Sequence, residues 1–180
     1  MTSATSAMRR QLCSAGSLDR TGGLLSQRAM NCSQKVKHVK PPSRTAISVI
    51  AGLIFRNERI LICQRRQNAA FASLKWEFPG GKIEDRETDT DALRRELKEE
   101  LAIDVRESEF FSGYVYSYED GPTVSLRFHR VKSFQGEPQN LVFEQVSWVE
   151  VDDLVNFDFL EGDRRLIMQM IERQDTFSKA

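Results

Sequence analysis

At 180 residues the chain is long enough for one domain with a buried core and short for two. Its formal charge is zero, but residues 1 to 44 carry eight Lys/Arg against one acid, Asp19, which leaves eighteen bases and twenty-five acids from residue 45 onward. So acidic a body lacks the Lys/Arg-rich face that displaces counterions from duplex nucleic acid, and no duplex partner is expected.

Residues 1 to 44 are rich in Ser, Thr, Gly and Arg, lack apolar periodicity, and end at Pro41-Pro42. They read as a disordered basic extension ahead of a domain over residues 45 to 180. Met30 offers an internal start, and the acid-poor, Arg/Ser-rich texture also fits an organellar targeting segment. The three cysteines, Cys13, Cys32 and Cys63, are odd in number and scattered, so a reducing, cytoplasmic setting is expected rather than a disulfide framework. No apolar run is long enough to span a bilayer, so no membrane partner is expected, while monomer and homodimer are both compatible with the sequence.

From Thr45 the texture becomes that of alternating strands and helices. Ala46 to Phe55 and Arg59 to Gln64 predict a hairpin about an Arg56-Asn57-Glu58 turn. Trp76-Glu77-Phe78 predicts a short strand halted by Pro79-Gly80-Gly81, where glycine permits positive φ and close backbone approach. Thr88, with Asp91 three residues on, predicts the N-cap of a helix whose apolar side is Ala92, Leu93, Leu97 and Leu101. Val105 to Tyr118 and Thr123 to Phe134 predict two strands around Asp120-Gly121-Pro122, and Gln145 to Val151 one more. Asp163 is expected to cap a last helix that buries Leu166, Ile167, Met170 and Ile171. The fold class is therefore mixed α/β.

The first helix carries the chemistry. Glu96, Glu99 and Glu100 stand at i, i+3 and i+4, so the helical pitch brings three carboxylates to one side, away from Leu93, Leu97 and Leu101. Hard oxygen donors clustered this way suit Mg²⁺ or Mn²⁺, which relieves their repulsion. The spacing alone equally fits a solvated acidic face balanced by Arg94, Arg95 and Lys98.

The longer pattern is more specific. Gly81, five residues, Glu87, seven residues, Arg95-Glu96-Leu97, one residue, Glu99-Glu100, one residue, Ala102-Ile103 resembles the Nudix box. The one departure is Ala102, where the family has glycine for a left-handed helix end; alanine held in that conformation costs about 1 kcal/mol. The resemblance implies an α/β/α sandwich with a mixed β-sheet and a Mg²⁺-dependent phosphoanhydride hydrolase, with Mn²⁺ able to substitute. It implies Glu96, Glu99 and Glu100 as metal ligands beside the Gly81 carbonyl, Glu96 also orienting the attacking water, and Glu87 and Arg95 bracing the loop against the helix.

Over most of residues 45 to 175 the chain is similar to the MutT-like branch, which implies a nucleotide substrate: a (deoxy)nucleoside triphosphate, with oxidised and cytosine nucleotides both open. ADP-ribose, a dinucleotide or an RNA 5′ end, and a non-catalytic binding module, are the alternatives. On this resemblance Arg66 and Lys82 match phosphate- and substrate-contacting positions, Phe78 a wall for the base, and Asp163 a group that hydrogen-bonds the base edge. Relatives with a further catalytic Glu six residues before the tryptophan matching Trp148 are matched here by Val142, so Glu144, the nearest acid, is the candidate replacement.

Overall fold

The computed structural model describes residues 46–172. The basic extension, Cys13, Cys32, His38 and the internal Met30 lie outside the described residues.

Strand β1 (Ile47–Arg56) turns at Asn57 and Glu58, both at positive φ, into β2 (Arg59–Gln64), with Phe55 opposite Ile60. Two left-handed residues between antiparallel strands give the reversal whose twist matches the strands it joins. The short β3 (Trp76–Glu77) pairs with the end of β2. The glycine pair does not simply halt the chain: Gly80–Lys82 forms a further strand, β4, antiparallel to β1 with Gly81 opposite Ile50. Gly80 sits at φ 147°, and a side chain there would overlap the Ile50 carbonyl, so only glycine lets the backbones come this close.

Helix α1 (Asp89–Leu101) begins at Thr88, whose hydroxyl accepts from the Asp91 N–H, as the capping pattern requires. It ends at Ala102, in the left-handed conformation at φ 58°, as the glycine of the resembling pattern would be. Strands β5 (Asp104–Ser117) and β6 (Thr123–Gln135) form a long antiparallel pair, and β7 (Gln145–Glu150) pairs with β2. A 3₁₀ turn over Val151–Asn156 leads to α2 (Glu161–Glu172).

The sheet runs β3-β2-β1-β6-β5, with β4 added on β1 and β7 on β2. It is mixed, because β1 and β6 are parallel from Ile47↔Val124 to Ile54↔Val131 while the other pairings are antiparallel. Period-two alternation along β1 sends Ile50 and Ile54 to one face and Ala51 and Leu53 to the other. The first face packs under α1 with Leu61, Cys63, Leu93, Leu97 and Leu101; the second packs under α2 with Ile60, Ile62, Phe128, Leu166 and Met170. These two helical layers make the α/β/α sandwich. Among the described residues no helix is long and apolar enough to cross a membrane.

Candidate active site

Helix α1 presents its charged side to the β4 edge. Arg95 is the centre of this junction: its Nε and Nη2 donate to the two oxygens of Glu87 at 3.0 Å each, Nη2 also donates to the Lys82 carbonyl at 3.0 Å, and Nη1 donates to Glu96 at 2.8 Å. A planar fork satisfied on both sides fixes the loop between β4 and α1 in two dimensions. Glu87 in turn accepts from the Glu84 N–H at 3.1 Å, and the guanidinium first, then that amide, hold its carboxyl below the ordinary range.

The Glu96 carboxylate lies against the Cα of Gly81, where any side chain would overlap it. One turn on, Glu100 accepts from the Gly80 N–H at 2.8 Å. Its surroundings push the carboxyl up to about 9, first through burial and then through the charge of Glu77, with the Gly80 amide opposing and Glu96 adding to the rise. Glu99 is the outlying member: its side chain is 62% exposed and 3.7 Å from Arg95.

Among the described residues no three His, Cys, Asp or Glu side chains already surround one point. The donor chemistry nonetheless fits a divalent cation. Glu100, driven upward first by burial and then by the charge of Glu77, sits among acids without the positive charge that hard oxygen donors recruit, and the glycine gap at Gly81 leaves its backbone open beside Glu96.

On the far side of β4 the base-side candidates are placed differently from expectation. Asp163 does not cap α2; the helix begins at Glu161, two residues earlier, and the Asp163 carboxyl is turned into the interior, 5% exposed. Burial raises its pKa well above the usual carboxylate value, Glu77 adds to the rise, and a hydrogen bond with the Phe78 backbone partly offsets it. Phe78 is likewise a core side chain, 3% exposed, packed edge-on to Phe128 and tilted against Phe159. The strand pattern explains this: Phe78 shares a side with Trp76, and both join the core beneath α2. What Phe78 brings to the site is its main chain, held to Asp163.

Arg66 and Glu144 share an open depression with Gln67 and Asn68. Arg66 reaches the Leu141 carbonyl at 3.5 Å, and Glu144 accepts from the Gln67 N–H at 3.4 Å. Val142 lines the adjoining hollow with Arg65, Arg66, Glu77 and Phe143. Lys82 is exposed at the end of β4. Cys63 is a buried free thiol in the core, its pKa driven up by burial first. His129 is buried too, 3.7 Å from Asp89.

Sequence reasoning missed one group. Glu77 is paired with Arg65 at 2.7 Å and largely shielded from solvent. The signal was present: Glu77 alternates with Trp76 and Phe78, so an acid had to face the side of the sheet that α1 covers.

A glutamate-lined helix packed on a glycine-rich edge of a mixed sheet defines the class. The NUDIX domain model matches residues 45–170, and the chain belongs to that family, in its MutT-like branch of hydrolases. Nudix hydrolases generally use divalent metals. The 8-oxo-dGTP diphosphatase of Haemophilus influenzae is 35% identical over 135 residues, covering 73% of this chain and 96% of that protein. The CTP pyrophosphohydrolase of Escherichia coli K12 is 31% identical over 121 residues, covering 67% of this chain and 88% of that protein. A solved structure from work on MutT from Aliivibrio salmonicida and Vibrio cholerae superposes with a TM-score of 0.61 at 33% identity, covering 72% of this chain and 99% of that one.

Proposed function

We propose that the chain hydrolyses (deoxy)nucleoside triphosphates to monophosphate and pyrophosphate, with oxidised guanine nucleotides such as 8-oxo-dGTP as the preferred class. The reaction class rests on one observation above all: Arg95 locks Glu87, Glu96 and the Lys82 carbonyl into a single junction at the rim of the Gly80-Gly81 edge. Glu96, Glu99, Glu100 and the Gly81 carbonyl are the groups to hold Mg²⁺ or Mn²⁺, which when bound neutralises phosphate oxygens.

The chain's own residues supply the rest. Glu96 orients a water whose oxygen bonds to phosphorus as the bridging P–O bond breaks; the water's proton passes to a carboxylate of this face, and the nucleotide or pyrophosphate leaves with the bond's electrons. Arg95 and Glu87 are positioning residues that hold Glu96. Lys82 and Arg66 meet phosphate oxygens, and Glu144 lies beside Arg66 as the acid nearest in sequence to Val142.

Base preference follows from Asp163. Burial raises its pKa well above the usual carboxylate value, which favours the protonated carboxyl, and in that form it offers a donor and an acceptor together, which suits the mixed edge of an oxo-purine. An ionised carboxylate, which only accepts, suits donor groups such as the cytosine amino group. That second reading is favoured by the 31% identity to a CTP pyrophosphohydrolase.

The catalytic unit is residues 45–180 in a reducing, cytoplasmic setting, so a chain starting at Met30 is expected to keep full activity. The test of function is hydrolysis with Mg²⁺ or Mn²⁺ of a panel of 8-oxo-dGTP, dCTP, 5-substituted CTP, dATP, ADP-ribose and a triphosphorylated RNA, followed as pyrophosphate release from the triphosphates and as AMP release from ADP-ribose. Turnover of 8-oxo-dGTP ahead of the rest is expected. Exclusive use of ADP-ribose or RNA would move the activity within the family, and an inert panel would leave a binding module.

A further inference from the structure

Strand β5 ends the sheet: β6 pairs with one of its edges, and among the described residues no strand pairs with the other. An unpaired edge offers its backbone donors and acceptors to any extended chain, and such edges are ordinarily guarded by charge or proline. Residues 110–118, Phe-Phe-Ser-Gly-Tyr-Val-Tyr-Ser-Tyr, carry neither. Phe110 and Val115 are also the most exposed large apolar side chains among the described residues, at 61% and 62%.

Residues five apart on a regular strand point to opposite faces, but β5 is not regular. Phe110 stands opposite His129 and Ser112 opposite Phe128, so Phe111 is an extra residue, a bulge that resets the alternation. Phe110 turns to the α1 side, edge-on to His129 with ring centroids 5.8 Å apart. Val115 pairs with Ser125, whose neighbours Val124 and Leu126 belong to the core beneath α2, so it turns to the α1 side as well. Helix α2 covers only the opposite side of β5, where Ser112 meets Gln169 at 3.1 Å and the Arg165 guanidinium lies over Tyr114 at 4.8 Å.

We propose that the outer edge of β5 is a homodimer interface, in which a second copy of the chain adds its own β5 antiparallel about a twofold axis at Gly113. A second copy is the occupant because the edge complements itself in register and in charge. Pairing Gly113 with its counterpart sets Ser112 opposite Tyr114, and once the bulge at Phe111 is passed, Phe110 of each copy faces Val115 of the other on one side of the joined sheet. The next step sets Glu109 against Tyr116, and continuing the count brings Arg106 to Glu119. The acidic ends of the two strands therefore lie apart, and each end closes on opposite charges. An axis nearer Glu107 and Glu109 would set acid against acid. The metal and base assignments do not enter, since Phe110, Gly113 and Val115 take no part in them.

The experiment is sedimentation velocity of the full chain over roughly 1 to 100 µM, where small, reversible interfaces dissociate. Wild type is expected to pass from monomer to dimer across that range. Phe110→Lys and Val115→Glu each set a lone charge against an apolar partner, and each is expected to raise the dissociation constant by at least about tenfold. Mixed with one another they are expected to dimerise again, because the two introduced charges then meet while the remaining Phe110 and Val115 meet unaltered.

A wild type that stays monomeric throughout overturns the proposal, as does a dimer that neither substitution weakens, or a pair of monomeric variants whose mixture stays monomeric. The Phe110 ring lies over Gly113 as well as against His129. Should Phe110→Lys fail to fold for that reason, Val115→Glu and Val115→Lys decide: both are expected to be monomers with the circular dichroism of wild type, and dimers persisting in both contradict the pairing.

Discussion

Carboxylates one turn apart do different work according to what surrounds them. Glu99 is mostly solvated, while Glu96 and Glu100 are each fixed by a donor, Arg95 and the Gly80 amide. Replacing Glu99 by Gln keeps shape and removes charge, and is expected to cut kcat by about 10²-fold or more with little change in melting temperature; a variant within twofold of wild type would remove Glu99 from the chemistry. Arg95→Lys is expected to be nearly as damaging as Arg95→Ala, because an ammonium cannot bond Glu87, Glu96 and the Lys82 carbonyl from one plane. Steady-state kinetics check this, and recovery of activity with lysine would reduce Arg95 to a bare charge. Burial shifts Asp163 upward and so favours its protonated form, and the preference for 8-oxo-dGTP over dCTP is expected to decline as pH rises through its elevated pKa, while Asp163→Asn, which cannot titrate, shows a pH-independent ratio. The ratio of kcat/KM values across pH reads this out, and a wild-type ratio as flat as the variant's would remove Asp163 from base selection.

At the scale of elements, the helix ends are where local chemistry is most legible. Thr88 and Asp91 announced the start of α1, and the box pattern located its end at Ala102. Ala102→Gly is expected to stabilise the fold by about 1 kcal/mol by relieving a Cβ in left-handed backbone, measured as the shift in urea midpoint; no gain would mean the strain is already relaxed. The strands were legible wherever alternation was long, as in β1, β5 and β6. Two features were not. Strand β4 is three residues of Gly-Gly-Lys, too short and too poor in side chains to leave a periodic trace, and exists because β1 offers it an edge. The start of α2 was misplaced because Asp163 has the chemistry of a cap, whereas its carboxyl is buried and hydrogen-bonded to the Phe78 backbone in the folded chain. The glutamates at helical spacing could be read from sequence, but whether they were solvated or held by an amide from β4 depended on a strand that sequence does not display.

Across the whole molecule, buried ionisable groups make stability a function of pH. Burial presses the His129 imidazole below its ordinary value, with Asp89 opposing. The unfolded chain therefore binds a proton more readily, so this contribution is intact above the unfolded pKa of about 6.5 and is lost as pH falls from there through the lower folded value. Denaturation midpoints of wild type relative to His129→Leu are expected to decline between pH 8 and pH 5.5, and a constant difference would remove His129 as the cause. The parallel pairing of β1 with β6 bears on how the protein comes to be made. Ile47 finds Val124, and Ile54 finds Val131, only after everything between them has been synthesised. Loop closure over that separation is entropically costly and slow to nucleate, while β4 and α1, which carry the charged cluster, depend on β1 for an edge and a floor. During synthesis on the ribosome, the glutamate helix therefore emerges onto a partial sheet of β1 to β4 whose central strand still lacks its parallel neighbour, and cation-binding competence is expected to rise once β6 has emerged from the exit tunnel.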